Sequence, residues 1–406
     1  MEVNKQQLLE ESKTFCMFPW VHMYVSPRGK VYPCCTTDTS STLGDTHTES
    51  LKEIWNNDKM KQIRLDMLNG KQVDLCRLCY KMEETTPHTW RKFSNDKFEK
   101  YFDETVVQTK DDGSVDDFKL RFIDVRFSNI CNFACRTCGA ECSSMWAAEN
   151  RQKGFNDYIV LHADDHKGNL LNEVLSQVQY ADTIYFAGGE PLITEEHYVI
   201  LENLIKQNLT HIKLRYNTNT STISFKSFDL IDLWKHFKNI EVQCSIDHYG
   251  ERAEYIRHGT KWGDIENNIK LFRQQPNITV GISTVLSVFN YNTITDFYRY
   301  MLDKKLMNYK DDNLYLTLTS DPKHFCSKNL PWYIKNAGHH DINSFCNYLD
   351  YKQLKDFLIE ARTFTDSENY WDLYKEKLFL AIYKIDKTRG QDFEKTFPEL
   401  ASMLNG

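Results

Sequence analysis

The chain has 406 residues, 26% charged and 13% aromatic, enough for two or three folded units with a large core. Its net charge of −7 gives no support for a nucleic-acid-binding surface, and no apolar run approaches the ~20 residues that a membrane span requires. Twelve cysteines follow a charged N-terminus, residues 1–13, that lacks an apolar signal core, so a reducing, cytoplasmic compartment is expected, where clustered cysteines serve as metal ligands or catalytic groups more often than as disulfides.

Residues 1–90 form the first expected unit. Cys16, Cys34 and Cys35 flank a run with hairpin character, two β-rich segments around Pro27-Arg28-Gly29, which would return Cys34 toward Cys16. Residues 50–69 carry helical periodicity through Leu51, Ile54, Trp55, Ile63, Met67 and Leu68. Ser50 with Glu53 three positions on predicts a capping box, and Gly70 a stop. That helix brings Cys76 and Cys79, a Cys-x2-Cys knuckle, back toward the hairpin. Neighbouring side chains on an extended strand face opposite ways, so either Cys34 or Cys35 turns inward. A four-cysteine zinc module competes with a cluster site on spacing alone. Residues 91–118 are charge-rich with few periodic apolar positions and are expected to form a linker or irregular excursion.

From 119 to about 320, six β-rich runs (119–127, 182–187, 211–217, 239–246, 278–287 and 313–319) alternate with helical patterns near 141–153, 194–208, 226–237, 263–274 and 293–305. Such alternation predicts βαβ units on a parallel sheet, an α/β fold in which ligands bind at the strands' carboxyl ends. After the first run comes Cys131-x3-Cys135-x2-Cys138. Three thiolates on so short a loop can hold three irons of a cubic cluster and leave the fourth open. The spacing is unlike the paired knuckles of zinc sites. After the second run, Gly188 and Gly189 let a ligand approach the backbone, and Glu190 beside them can accept from an ammonium group. Asn217 and Asn219 end the third run, and Ser245, with Arg257 beyond it, ends the fourth. An Arg fork suits a carboxylate, while the asparagines read equally as a polar turn. Cys244 reads as a buried strand residue and Cys142 as the first-turn residue of a helix. Beyond 320, Cys326, His339, His340 and Cys346 fit no metal knuckle, and from Tyr351 onward amphipathic helices with aromatic faces are expected.

Residues 119–320 resemble the radical S-adenosylmethionine (SAM) superfamily through the Cys131 loop and the Gly188-Gly189-Glu190 turn, each following a strand. Two positions depart from the family pattern: Thr137 stands where an aromatic is usual, and His248 where many relatives have Gly. Residues 16–79 resemble its SPASM/Twitch auxiliary domain, through Cys16, twelve residues, Gly29, four residues, Cys34, and then Cys76-x2-Cys79. The later SPASM cysteines are missing, which points to the one-cluster Twitch form, here N-terminal where the usual place is C-terminal.

The resemblance implies a (β/α)6 partial TIM barrel at 119–320, a Twitch-like domain at 1–90 and a helical extension at 321–406. It implies one [4Fe–4S] cluster on Cys131, Cys135 and Cys138, and an auxiliary [4Fe–4S] cluster on Cys16, Cys34, Cys76 and Cys79. It further implies SAM held by Gly188, Gly189, Glu190, Asn217, Asn219, Ser245 and Arg257. The activity implied is reductive SAM cleavage to a 5′-deoxyadenosyl radical, which abstracts hydrogen from a peptide or small-molecule substrate. A flavodoxin or ferredoxin is the expected reductant. The competing classes are a zinc-binding adaptor without enzymatic activity and a SAM-binding scaffold without turnover.

Overall fold

The computed structural model describes residues 4–84, 89–152, 160–164, 169–308, 313–319 and 321–405. Each of the six β-rich runs holds a strand: Phe122–Val125, Thr183–Phe186, Lys213–Thr218, Ile240–Ser245, Ile278–Leu286 and Leu314–Leu318. The helices expected between them are present, though 226–237 narrows to Leu230–Trp234, and the pattern near 141–153 yields Ser144–Gln152, position 153 lying outside the described residues. Among the described residues no helix is long and apolar enough to cross a membrane.

The chain divides into two compact units, and the division falls after Arg215, inside the strand Lys213–Thr218. The first comprises Met1–Ile130, Val160–Arg215 and Leu233–Lys238. Its strand His22–Val25 pairs antiparallel with Lys30–Tyr32, the expected hairpin, and Lys30–Tyr32 pairs in turn with Gly44–Asp45. On its other side His22–Val25 runs parallel to Phe122–Val125, with Tyr24 opposite Asp124, and Phe122–Val125 runs parallel to Thr183–Phe186. The hairpin strand therefore extends the sheet that carries the first two core strands. Apolar β-formers on both faces suit such buried parallel pairing.

The single helix expected over 50–69 is two, Leu51–Trp55 and Asp58–Leu68, because Asn57 caps a new start by accepting from the Met60 N–H. The capping box forms as expected: the Ser50 hydroxyl accepts from the Glu53 N–H, and the Glu53 carboxylate accepts from the Ser50 N–H at 2.8 Å. The linker expected at 91–118 begins instead with the helix Trp90–Phe98, capped by Thr89. It is packed: Arg91, Ser94, Asn95 and Phe98 are buried, and Trp90, Phe93 and Phe98 gather with Phe18, Phe122 and Tyr185 in one aromatic cluster. Charged and polar residues on its buried face hid the apolar stripe that a sequence period needs.

The second unit comprises Cys131–Ile159, Tyr216–Asp232 and Asn239–Gly406. Ile240–Ser245, Ile278–Leu286 and Leu314–Leu318 are parallel, with Trp262–Arg273 and Ile294–Asp303 as crossover helices. A short antiparallel pair joins Ala134–Cys135 to Arg257–His258. The amphipathic region after residue 320 forms Trp332–Tyr348, Lys352–Asp366 and Trp371–Arg389, followed by Phe393–Thr396 and Pro398–Asn405. These helices belong to the second unit's core through Leu354, Leu358, Leu378 and Phe397.

Candidate functional site

In the first unit, the hairpin, the Cys76–Cys79 knuckle and the helix Trp90–Phe98 surround one small cavity. Cys16, Cys34, Cys76 and Cys79 line it, with Phe18, Trp90 and Arg91. Cys35 does not line it; its thiol faces Asp124 and Arg126. Burial pushes the Cys16 thiol up to about 11, opposed by its 3.1 Å contact with the Ser94 hydroxyl. Burial also raises Cys76 and Cys79. Cys34 is raised first by its hydrogen bond with Cys35, then by burial. Thiolates are thus disfavoured here unless a metal takes them, which is how metal uptake comes to release protons. Arg91 adds a cation, paired to Glu83 and donating at 3.0 Å to the Phe15 carbonyl. Four thiols from three chain segments, with no carboxylate on the lining, suit a soft iron–sulfur group rather than a hard cation. Among the described residues no group of three or more His, Cys, Asp or Glu is placed to hold a single metal ion.

The Gly188-Gly189-Glu190 turn lies in the same unit. Gly188 has φ +99°, and a Cβ on Gly189 would sit 2.1 Å from the Ile130 carbonyl oxygen, so only glycine fits at 189. The Glu190 N–H donates to that carbonyl at 2.7 Å, tying the turn to the residue directly before Cys131. The Glu190 side chain is buried, and its Oε1 accepts from the Leu192 N–H at 3.1 Å.

In the second unit, Cys131, Cys135 and Cys138 are free thiols, half-buried, on a loop held by several ties. The Phe133 N–H approaches the Cys131 sulfur at 3.4 Å, and the Ser144 hydroxyl donates to the Cys131 carbonyl at 3.2 Å. Cys135 sits opposite Arg257, whose Nη1 lies 3.7 Å from its sulfur. Burial raises Cys135, with Arg257 opposing. Cys138 is raised mainly by its hydrogen bond with Cys142, then by burial. Cys142 is exposed and precedes the helix Ser144–Gln152 rather than opening it. Three thiols on one short loop and a guanidinium beside Cys135 suit a cluster bearing negative charge.

Around this loop, Asn219 donates to the Asn132 side chain at 2.8 Å, and Ser245 ends its strand opposite Ser283. Asn217 lies on the strand Lys213–Thr218, half-buried. Arg257 donates from Nη2 to Asp247 Oδ1 at 3.2 Å, its Nε stands 2.9 Å from Asp247 Oδ2 as an ion pair, and Asp247 accepts from the Val285 N–H at 2.8 Å. His248 is buried against Thr293, 3.0 Å away, with its pKa lowered to about 3 by burial. Its bulk is therefore directed into the interior beside Phe297. Cys244 is fully buried, as expected of a strand residue. His339 pairs with Asp366 at 2.7 Å, and His340 is exposed.

Sequence reasoning missed Arg136. It lies inside the cluster loop, fully buried, its guanidinium 3.6 Å from the Tyr255 ring centroid. It donates to Asp386, to Gln391 at 2.9 Å and to the Tyr255 carbonyl at 3.1 Å. Asp386 and Gln391 come from the C-terminal region. No sequence signal links positions 136 and 386; the contact belongs to the tertiary structure. Asp124 and Arg126 were also missed, although an acid inside the apolar run Phe122–Val125 was a visible anomaly.

The arrangement is that of an α/β protein with two separate cysteine sites, one on an N-terminal hairpin and knuckle, the other on the loop after the first core strand. Residues 16–80 match the SPASM family, an iron–sulfur cluster-binding domain, and residues 125–301 match the radical SAM superfamily; together these cover more than half of the chain. The chain thus carries a radical SAM domain and a SPASM domain, and the two imply [4Fe–4S] clusters. Among solved structures, native anSMEcpe with bound AdoMet and Cp18Cys peptide is similar at 19% identity, covering 59% of this chain and 61% of that chain, with a TM-score of 0.37. SuiB from Streptococcus suis bound to S-adenosylmethionine is similar at 14% identity, covering 73% of this chain and 60% of that one, with a TM-score of 0.37. The matches thus span about three fifths of the length of these relatives. No curated protein matches the chain.

Proposed function

We propose that this protein is a radical SAM enzyme acting on a peptide or protein side chain, with an auxiliary cluster that would accept an electron from the product radical or ligate the substrate. The carrying observation is the convergence of Cys16, Cys34, Cys76 and Cys79 on one cavity in a chain that also bears the Cys131-x3-Cys135-x2-Cys138 loop. When bound, the clusters and SAM supply a 5′-deoxyadenosyl radical and an electron acceptor.

The chain's own residues hold and orient. Cys131, Cys135 and Cys138 ligate three irons; Cys16, Cys34, Cys76 and Cys79 ligate the second cluster, with Cys35 turned away. Glu190 accepts from the SAM ammonium, and Gly188 and Gly189 let SAM approach the backbone. Asn217, Asn219 and Ser245 supply hydrogen bonds to its ribose or carboxylate. Arg257, braced by Asp247, presents charge to the Cys135 sulfur and to the SAM carboxylate. The peptide class rests on the habit of SPASM/Twitch relatives, and a flavodoxin or ferredoxin in the cytoplasm would supply the electron.

Iron and sulfide content of anaerobically reconstituted protein, with a dithionite-driven SAM-cleavage assay on the same sample, tests this. About eight irons per chain with 5′-deoxyadenosine is expected. Zinc without iron, and no cleavage, would overturn it. Replacing Cys135 by Ala should abolish cleavage. Replacing Cys76 and Cys79 should spare uncoupled cleavage and stop product formation.

A further inference from the structure

The first unit contains a buried ion pair whose hydrogen-bonding capacity is only partly used. Asp124 is fully buried on the strand Phe122–Val125. Its Oδ1 receives one long hydrogen bond, from Arg126 Nε at 3.4 Å, the Cys35 thiol hydrogen-bonds to the carboxylate, and Oδ2 has no further partner among the described residues. The Arg126 guanidinium lies 4.8 Å from the Tyr24 ring centroid, and its two Nη groups make no hydrogen bond to a described residue. Arg126 keeps 21% of its side chain exposed, so these donors have room in front of them. A buried carboxylate held by one long hydrogen bond and one weak thiol donor, beside a guanidinium whose Nη groups reach toward solvent, keeps capacity for a further polar partner.

The surroundings say where that something lies. The Arg126 stem covers the Gly188 backbone, since a Cβ there would meet Arg126 Cβ at 2.9 Å. Gly188 opens the turn assigned to SAM. On the other side Cys35, next to the auxiliary ligand Cys34, faces both Asp124 and Arg126. The pair thus stands between a turn assigned to the radical source and a residue adjoining the assigned electron acceptor, all within one unit.

We propose that Asp124 and Arg126 form a substrate subsite that binds a peptide or carboxamide group, Asp124 accepting its N–H and Arg126 donating to its C=O. An adjacent acceptor and donor match the paired donor and acceptor of an amide. A free carboxylate would meet the Asp124 charge, and an ammonium group the Arg126 charge. This deepens the function proposed above and rests on it for the meaning of the neighbouring motifs.

The test uses the reconstituted full chain and N-acetylglycinamide deuterated at its α-carbon as probe. Binding is read by ligand-observed NMR, with acetate and methylammonium as controls. Total 5′-deoxyadenosine and its deuterium content are read by mass spectrometry in the SAM-cleavage assay. The wild type should bind the amide in preference to both controls and return deuterium in 5′-deoxyadenosine. D124N, which puts a donor where the acceptor was, and R126Q should each weaken amide binding about tenfold or more, as expected for losing a hydrogen bond to a charged group. Both should lower the deuterium fraction of whatever 5′-deoxyadenosine is formed. Y24F, which keeps the ring under Arg126, should bind as wild type and serves as the folding control, with the circular-dichroism spectrum of each variant.

No amide binding by the wild type, stronger binding of acetate, or equal binding by folded D124N and R126Q would overturn the subsite. If either variant fails to fold, the wild-type preference among the three probes decides alone. Absence of 5′-deoxyadenosine from the wild type would instead overturn the radical enzyme, while the NMR comparison still decides the subsite.

Discussion

Replacing Arg136 by Met is the sharpest perturbation of the cluster loop that avoids its ligands. Arg136 has 0% exposed side chain and Asp386 13%, so the pair sits out of water. Removing the guanidinium strands the Asp386 carboxylate beside the Phe393 N–H, which donates to its Oδ2 at 2.8 Å but leaves its charge uncompensated. Breaking a buried pair by removing one partner costs about 3–5 kcal/mol. The stacking on Tyr255 is lost as well. For a unit of about 200 residues this predicts a fall of ~6–20 °C in the second unit's melting temperature. Because the Arg136 peptide lies between Cys135 and Thr137, the loop loses its anchor to the Tyr255 carbonyl, and iron at Cys131, Cys135 and Cys138 should fall while the auxiliary site keeps its own. Differential scanning calorimetry on the apo-protein and iron analysis after reconstitution read the two effects separately. R136K keeps a charge without the planar fork and should fall between R136M and wild type. An R136M protein with unchanged melting and full iron would refute the reasoning.

Cys34→Ala should halve the iron per chain, whereas Cys35→Ala should retain it; the reverse pattern in iron analysis would move the auxiliary ligand to Cys35. Gly189→Ala places a Cβ within 2.1 Å of the Ile130 oxygen and should abolish SAM binding, measured by equilibrium dialysis, through displacement of the turn. Burial lowers the pKa of His22 to about 4 and of His197 to about 3, so their neutral forms belong to the fold. Stability is fully present above the unfolded value near 6.5 and is lost as pH falls toward those folded values, by about 1–2 kcal/mol per histidine between pH 6.5 and 5. Urea unfolding against pH should show that slope, and His22→Phe should reduce it by one proton; an unchanged slope would show that His22 does not titrate as described.

The core was legible because its strands announce themselves. Runs such as Ile278–Leu286, apolar on both faces and bounded by helical periods, have few other solutions than buried parallel strands. The spacing of Cys131, Cys135 and Cys138 was legible for a different reason, since a loop that offers three thiolates to one object must keep them close in sequence. The proposed auxiliary ligands are spread over three segments, and there the hairpin and the capping box carried the inference by fixing where the chain turns. What stayed hidden was burial of polar side chains. Arg91, Ser94 and Asn95 make the buried face of Trp90–Phe98 look like a solvated one, so the helix passed for a linker.

The same blindness explains the C-terminal region, and it bears on function. Periodicity shows that Trp371–Arg389 is a helix but is silent on its partner. The structure gives the answer at the end of that helix: Asp386 meets Arg136 of the cluster loop, and Arg389 meets Glu149 and stacks over Trp146, whose indole N–H donates to the Cys135 carbonyl at 2.6 Å. Asp386 and Arg389, on one edge of that helix, therefore hold both sides of Cys135, one through its neighbour Arg136 and one through Trp146 and the Cys135 carbonyl. A loop of three ligands separated by short spacers has little rigidity of its own, and second-layer contacts normally set the geometry of the first. Residues 371–391 accordingly brace the loop proposed to hold the metal. Truncation before Trp371 should cost iron at the Cys131 set even though it removes no ligand.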